Sequence, residues 1–258
     1  PMSAEPSSFD QGDWSATELI PWHQCELLDR LGSGASGDVY RAEYASTDVA
    51  CKVLRRKRAI DTREMQQLVE ECRLALKLRH PNVLLTLGLV SDGKSNHGIL
   101  TEMMDLTLDE LIEGQSTPAG RPPSWESPYL SVAHDVARGM AYLHQHRIIH
   151  RDLKPGNVLL KLPTMTAKVA DFGASKDFVG DPGSDPTNGW GGGSMSMTMS
   201  MAGTPVYMAP EVLRQDRYGK PCDVWSFGGL LVHIATGQPP FFALLKRGGI
   251  SPLNLMQA

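Results

Sequence analysis

Residues 148–173 read IIHRDLKPGNVLLKLPTMTAKVADFG, and polar groups stand in a fixed order along them. Asp152 comes two residues after His150, Lys154 two after that, and Asn157 three further on. Asp171 follows after two short apolar runs. These runs, Val158-Leu159-Leu160 and Lys168-Val169-Ala170, flank Pro163-Thr164 and predict two strands joined by a turn. A loop, a hairpin and a second loop would bring the polar groups to one edge, with Asn157 and Asp171 at neighbouring hairpin ends where two ligands can share a metal. Any one of these residues alone is equally a turn former. The ordered set asks for a chemical explanation.

Phosphoryl transfer needs a carboxylate to orient or deprotonate the accepting hydroxyl, a cation on the moving group, and hard oxygen ligands for magnesium. The stretch offers one candidate for each. The order HRDLKPGN followed by DFG resembles the catalytic and magnesium loops of the eukaryotic protein kinases. That resemblance implies an α+β, two-lobed fold, with a small β-rich N-lobe carrying one helix and a larger, mainly helical C-lobe. It implies a kinase domain over 18–258, divided into an N-lobe (18–101), a hinge (102–105) and a C-lobe (106–258). By the same resemblance Asp152 is the base, Lys154 the cation on the phosphoryl group, and Asn157 and Asp171 the metal ligands for Mg2+.

Upstream, Gly32-Ser33-Gly34-Ala35-Ser36-Gly37-Asp38-Val39 is a GxGxxGxV pattern between two expected strands. Glycines let a backbone fold closely over phosphates and offer N–H groups to them, although a glycine-rich hairpin gives the same letters. Val49-Ala50-Cys51-Lys52 follows in a strand expected over 47–54, where a lysine is costly to bury without an anionic partner. The strand resembles the kinase VAIK strand with Cys51 in place of Ile, and the absence of GK[ST] after the glycines argues against a P-loop NTPase. The resemblance implies that Leu31, Gly32, Gly34 and Gly37 lie along the nucleotide and that Lys52 holds the α- and β-phosphates of ATP.

A helix is expected over 61–78, with Asp61 as N-cap and Met65, Leu68, Val69, Cys72 and Leu76 on one face. In the family such a helix supplies a Glu to the strand lysine. Counting back nine residues from His80 selects Glu71, with Glu70 the runner-up; neighbours on a helix point about 100° apart, so only one can face Lys52. The strand expected over 98–104 would end in the hinge, with Thr101 as gatekeeper and the backbone of Glu102 and Met104 on the adenine edge. Val39, Ala50 and Leu159 would sandwich the ring. Leu106-Thr107-Leu108 departs from the usual Gly-Ser-containing bend.

A second helix is expected over 129–146, with Leu130, Ala133, Val136, Ala137, Met140 and Leu143 along one face. His134, His144 and His146 read as surface or packed histidines, since no carboxylate partner for a metal site accompanies them. Residues 177–201 are of low complexity and stand where a kinase has its activation loop. Arg151 is the family's partner for an activation-loop phosphate, which points to Thr198 or Ser200 as modification sites. Gly203-Thr204-Pro205 and Ala209-Pro210-Glu211 resemble the substrate-positioning segment and the APE motif, and Lys154 with Thr204 implies a protein substrate with a Ser/Thr acceptor. In the family Asp223 caps the catalytic-loop backbone. Glu18-Leu19-Ile20-Pro21-Trp22 resembles the lead-in of Raf-like members of the tyrosine-kinase-like group.

A net charge of -4 and a pI near 6.1 speak against a nucleic-acid partner. The one dense basic run, Arg55-Arg56-Lys57-Arg58, reads as a solvated loop. Cys25, Cys51, Cys72 and Cys222 form no CxxC pair and read as reduced thiols. No apolar run approaches the roughly 18 to 20 residues of a membrane span, so no membrane insertion is expected. Residues 1–17, rich in Ser, Pro, Asp and Glu, read as a flexible leader, and the expected location is cytoplasmic. The chain ends at Ala258 without the last helices of a kinase C-lobe or an Arg for Glu211. A fragment of low stability is expected, with a buried, unpartnered Glu211 and apolar surface exposed around Val232, Ile234 and Phe241. The function implied is a protein serine/threonine kinase using ATP and Mg2+. The alternatives are a pseudokinase-type scaffold, disfavoured because Lys52, Asp152, Asn157 and Asp171 are all present, and a small-molecule phosphotransferase, disfavoured by the peptide-positioning segment.

Overall fold

The computed structural model describes residues 19–34, 37–54, 62–114, 128–173, 175–177, 204–214 and 216–246. The expected leader, the basic run 55–58, the N-cap Asp61, and Thr198, Ser200 and Gly203 lie outside the described residues. The chain divides into two compact units, one formed by the residues up to Arg79 with Leu84–Met103, the other by His80–Val83 with the residues from Met104 onward.

In the first unit β1 (Leu19–Pro21), β2 (Cys25–Gly34), β3 (Gly37–Tyr44), β4 (Thr47–Val53), β5 (Thr86–Ser91) and β6 (His97–Glu102) make a sheet in the order β1-β5-β6-β4-β3-β2. The short β1 pairs in parallel with β5, and the other neighbours are antiparallel. Side chains alternate between the faces of a strand, and here both faces are used. Ala42, Val49, Cys51 and Leu100 are buried with Ile20, Cys25 and Val90 on one side. On the other, Leu89 and Ile99 pack against Met65, Leu68 and Cys72 of α1 (Thr62–Leu76). The α1 positions recur at intervals of three and four, which is one stripe of a helix. Val69 and Leu76 sit at the margin of that stripe, only partly buried.

The second unit contains β7 (Leu106–Thr107), α2 (Leu108–Ile112), α3 (Tyr129–Gln145), β8 (Ile148–Ile149), β9 (Val158–Lys161), β10 (Thr166–Val169), β11 (Lys176–Asp177), α4 (Pro210–Leu213), α5 (Pro221–Thr236) and α6 (Phe242–Lys246). Leu106 and Thr107, where the usual bend is missing, pair with Leu160 and Leu159 of β9. Thr107 then opens α2 through a capping box with Glu110, each side chain bonding the other's backbone N–H. In α3 the buried stripe is Tyr129, Val132, Ala133, Val136, Gly139, Met140 and Leu143. Leu130, expected on that face, is 54% exposed, because the stripe begins at Tyr129 and Val132 instead.

His80–Val83 belongs to the second unit because its polar groups bond there. Asn82 Nδ2 donates to Ala167 O at 3.0 Å, Asn82 O accepts from Val169 N at 3.0 Å, and the His80 ring stacks on Tyr142. Gly139 permits the approach: a Cβ there would stand 2.4 Å from Asn82 O. Around α5, Val232 and Phe241 are exposed as expected, together with Val224, Trp225 and Phe242, but Ile234 is only 3% exposed because it turns to the inner side of the helix. Glu211 is also corrected: it is part-exposed in the first turn of α4, where the helix end favours a carboxylate, and not buried.

Candidate active site

In the first unit the glycine pattern forms the β2–β3 hairpin. Gly32 lies opposite Val39 and Gly34 opposite Gly37, and a Cβ on Gly32 would meet nothing within 4 Å. Gly37 has a different reason to be glycine, since a Cβ would come 2.4 Å from Val53 O of the neighbouring strand. Leu31 is 49% exposed. The β3–β4–β6 register sets Val39 opposite Lys52 and Ala50 opposite Thr101, so these four residues share one sheet face. On that face Lys52 Nζ is 2.8 Å from Glu71 Oε1, with both side chains largely shielded from water, while Glu70 is exposed. A lysine in mid-strand is thus matched by a carboxylate one helix away. Glu102 uses its carboxylate to accept Leu85 N–H at 2.7 Å, and its own N–H donates to Leu85 O at 3.0 Å, which ties the end of β6 to the start of β5.

In the second unit the β9–β10 hairpin pairs Val158 with Val169, and Ala170 N–H donates to Asn157 O at 2.9 Å. That bond sets Asn157 beside the residue preceding Asp171. The Asn157 side-chain amide donates to Asp152 O at 2.7 Å and to Asp152 Oδ2 at 3.0 Å. Its nitrogen being so engaged, the amide oxygen is the atom it offers to a hard cation. Lys154 Nζ donates to the same Asp152 Oδ2 at 2.7 Å. The other oxygen, Asp152 Oδ1, is buried and has no hydrogen-bond partner among the described residues. A buried carboxylate oxygen without a donor is unfavourable, so Asp152 is an acceptor held ready for a donor. Leu159 is half-buried on β9, and Met104 is buried.

The loop that carries Asp152 is fixed from α5. Asp223, 1% exposed, accepts His150 N–H at 2.9 Å on Oδ2 and Arg151 N–H at 2.8 Å on Oδ1. His150 also bonds Ala170 O through Nε2 at 2.9 Å, which links the loop to the residue before Asp171. Arg151 and Asp171 both have positive φ, 67° and 64°, a conformation that non-glycine residues adopt at a cost and that collects at functional sites. Arg151 Nη1 donates to the Tyr218 hydroxyl at 2.8 Å, and its Nε is buried without a partner among the described residues.

One partner escaped the sequence. His144, read as lacking a carboxylate, bonds Asp223 Oδ2 through Nε2 at 2.8 Å. The partner lies 79 residues further along the chain, and neither spacing nor helical period joins the two. No group of three or more His, Cys, Asp and Glu side chains suited to a metal occurs among the described residues. No described helix is long and apolar enough to cross a membrane.

Comparison with known proteins agrees with this geometry. The protein kinase domain family matches residues 25–250. The serine/threonine-protein kinase CTR1 of Arabidopsis thaliana is 34% identical over 268 residues, covering 100% of the chain and 30% of that protein. Mitogen-activated protein kinase kinase kinase 13-A of Xenopus laevis is 34% identical over 86% of the chain and 20% of its own length. The probable serine/threonine-protein kinase SIS8 of Arabidopsis thaliana is 33% identical over 98% of the chain and 22% of its own length. The chain therefore spans less than a third of these relatives. With the family match covering most of the sequence, and with these relatives, the chain belongs to the protein kinase family.

Proposed function

We propose that this chain is the catalytic part of a protein serine/threonine kinase, transferring the γ-phosphoryl group of ATP to a hydroxyl of a protein. The observation that carries this reading is Asp152: one oxygen is held by Lys154 and Asn157, and the other is buried with no donor among the described residues. An acceptor Ser or Thr hydroxyl supplies that donor. Its oxygen forms the new bond to the γ-phosphorus as the bond from that phosphorus to the bridging oxygen breaks, and its proton passes to Asp152. Lys154, already beside Asp152, balances charge on the moving group. Lys52, oriented by Glu71, serves the α- and β-phosphates of the donor.

The donor set suits magnesium, since Asn157 offers an amide oxygen and Asp171 a carboxylate, both hard ligands. When bound, the ion neutralises charge on the phosphate oxygens. Leu31, Gly32, Gly34, Gly37, Val39, Ala50, Thr101, Glu102, Met104 and Leu159 are the residues assigned to the nucleotide, the last group through an apolar slot with a few backbone contacts. The serine/threonine assignment is supported by Lys154 and Thr204 and by the names of two relatives.

The test is transfer of label from γ-labelled ATP to dephosphorylated casein, with Asp152→Asn alongside. The substitution is expected to lower kcat by about 10²–10⁴-fold, the range for a lost general base. Equal rates for the two proteins would overturn the assignment.

A further inference from the structure

The peptide-positioning segment is tied to α5 by a contact that the proposed chemistry does not use. Tyr207 ends the 3-10 turn Thr204–Tyr207 and is 7% exposed. Its hydroxyl lies 2.6 Å from Nδ1 of His233, itself 9% exposed, and the two rings stack at 27° with centroids 6.2 Å apart. Its carbonyl accepts the Ser226 hydroxyl at 2.8 Å. The phenol ring lies beside Gly229, where an added Cβ would be 3.4 Å from Cδ1. Three positions of one helix, Ser226, Gly229 and His233, therefore receive Tyr207, and of these three contacts the one to His233 is made by a side chain that gains a proton on acidification.

We propose that His233 is a positioning residue for the acceptor-binding segment: its neutral imidazole holds the Tyr207 hydroxyl, and protonation of the ring weakens that hold on the turn. The proposal rests on the kinase reading above, in which this segment receives the protein substrate.

The protonation states follow from the surroundings. Burial raises the Tyr207 hydroxyl pKa, and Asp109 adds to it, so the phenol keeps its proton and is the donor. Burial lowers His233 below its ordinary value of 6.5, against the opposing pull of Asp109 and Glu113, the charged groups that bear on the ring. Near neutral pH the imidazole is therefore uncharged, with Nδ1 accepting and the proton on Nε2. Once protonated, both ring nitrogens are donors. The Tyr207 hydroxyl can answer Nδ1–H only by turning its own proton away and accepting, and the pair then holds a positive charge on a ring that is 9% exposed, which weakens its hold on the turn.

The experiment measures KM and kcat for dephosphorylated casein between about pH 5 and 8, the range over which histidine titrates. It compares the unsubstituted chain with His233→Ala, His233→Asn and Tyr207→Phe. His233→Ala and Tyr207→Phe are expected to raise KM about tenfold at neutral pH, the equivalent of one buried hydrogen bond, with kcat changed far less. The unsubstituted chain should show the same rise in KM on acidification below pH 6.5. His233→Asn keeps an acceptor oxygen near the place of Nδ1 and cannot be protonated there, so it should keep the low KM and flatten its dependence on pH. An unchanged KM in all three variants, or an acid-induced rise that persists in His233→Asn, overturns the proposal. Loss of transfer by the unsubstituted chain counts against the kinase reading instead. Nitrogen NMR of labelled histidine then decides the clamp alone: a neutral Nε2–H ring whose Nδ1 signal moves in Tyr207→Phe supports it, and an unaffected signal overturns it.

Discussion

At the scale of single residues, the meeting of the polar groups of 148–173 was legible because they lie within two dozen positions and their order is itself the signal. Asp152, Lys154 and Asn157 meet through bonds of 2.7 to 3.0 Å, all inside one loop. Glu71 was a narrower matter, separated from Glu70 by helix phase alone; the structure puts Glu71 at Lys52 and leaves Glu70 exposed. His144 is a packed histidine as expected, but its carboxylate partner was not legible, since Asp223 comes from a different helix far along the chain. The Lys52–Glu71 pair allows a prediction. Glu71→Gln removes the charge but keeps the shape, and should lower kcat/KM for ATP by about ten- to a hundredfold, as for a charge-assisted hydrogen bond. Initial rates against ATP concentration measure it, and an unchanged kcat/KM would show that Lys52 is oriented without Glu71.

At the scale of elements, periodicity located helices and strands well and their buried faces less well. The α1 stripe fell where intervals of three and four put it. The α3 stripe was shifted because Leu130, apolar and at a plausible phase, faces water while Gly139 faces Asn82. Glycine is invisible to a hydrophobic pattern, yet here it marks a close approach of two backbones. Two predictions belong to this scale. Asp223→Ala removes the buried acceptor for the backbone N–H groups of His150 and Arg151 and for His144, so it should destabilise the second unit by about 3–5 kcal/mol. Urea unfolding measures this, and a loss under about 1 kcal/mol would mean the catalytic loop is held by other contacts.

The turn between β5 and β6 gives a pH dependence. Burial pushes the Asp92 carboxyl upward, but bonds from the backbone of Asn96, Lys94 and Ser95 and the side chain of Asn96 together outweigh it and bring its pKa down to about 2. A depressed carboxylate stabilises the fold above its unfolded value, here near 3.8, and that contribution is lost as pH falls through about 2. The amide proton shifts of Lys94, Ser95 and Asn96 should therefore move together with a midpoint near pH 2. A midpoint at the ordinary carboxyl value would mean that the turn does not hold Asp92.

At the scale of the whole molecule, the α+β character and the division into a β-rich unit and a mainly helical one follow from the order of elements along the chain. The assignment of His80–Val83 to the second unit was not legible, because it depends on hydrogen bonds from Asn82 to a hairpin 85 residues away. The exposed apolar side chains of α5 and its neighbours mix with buried Ile234 on one helix, a distinction of phase that a list of apolar residues does not make. The alternative to catalysis, a nucleotide-binding scaffold, uses the same fold and differs only in whether a phosphoryl group moves. The most direct measurement is therefore label transfer from γ-labelled ATP to casein in the presence of Mg2+, followed by identification of the labelled amino acid. Label on phosphoserine or phosphothreonine, lost on chelating the metal and in Asp152→Asn, is the result predicted. Bound nucleotide with no transferred label, or label confined to phosphotyrosine, would contradict it.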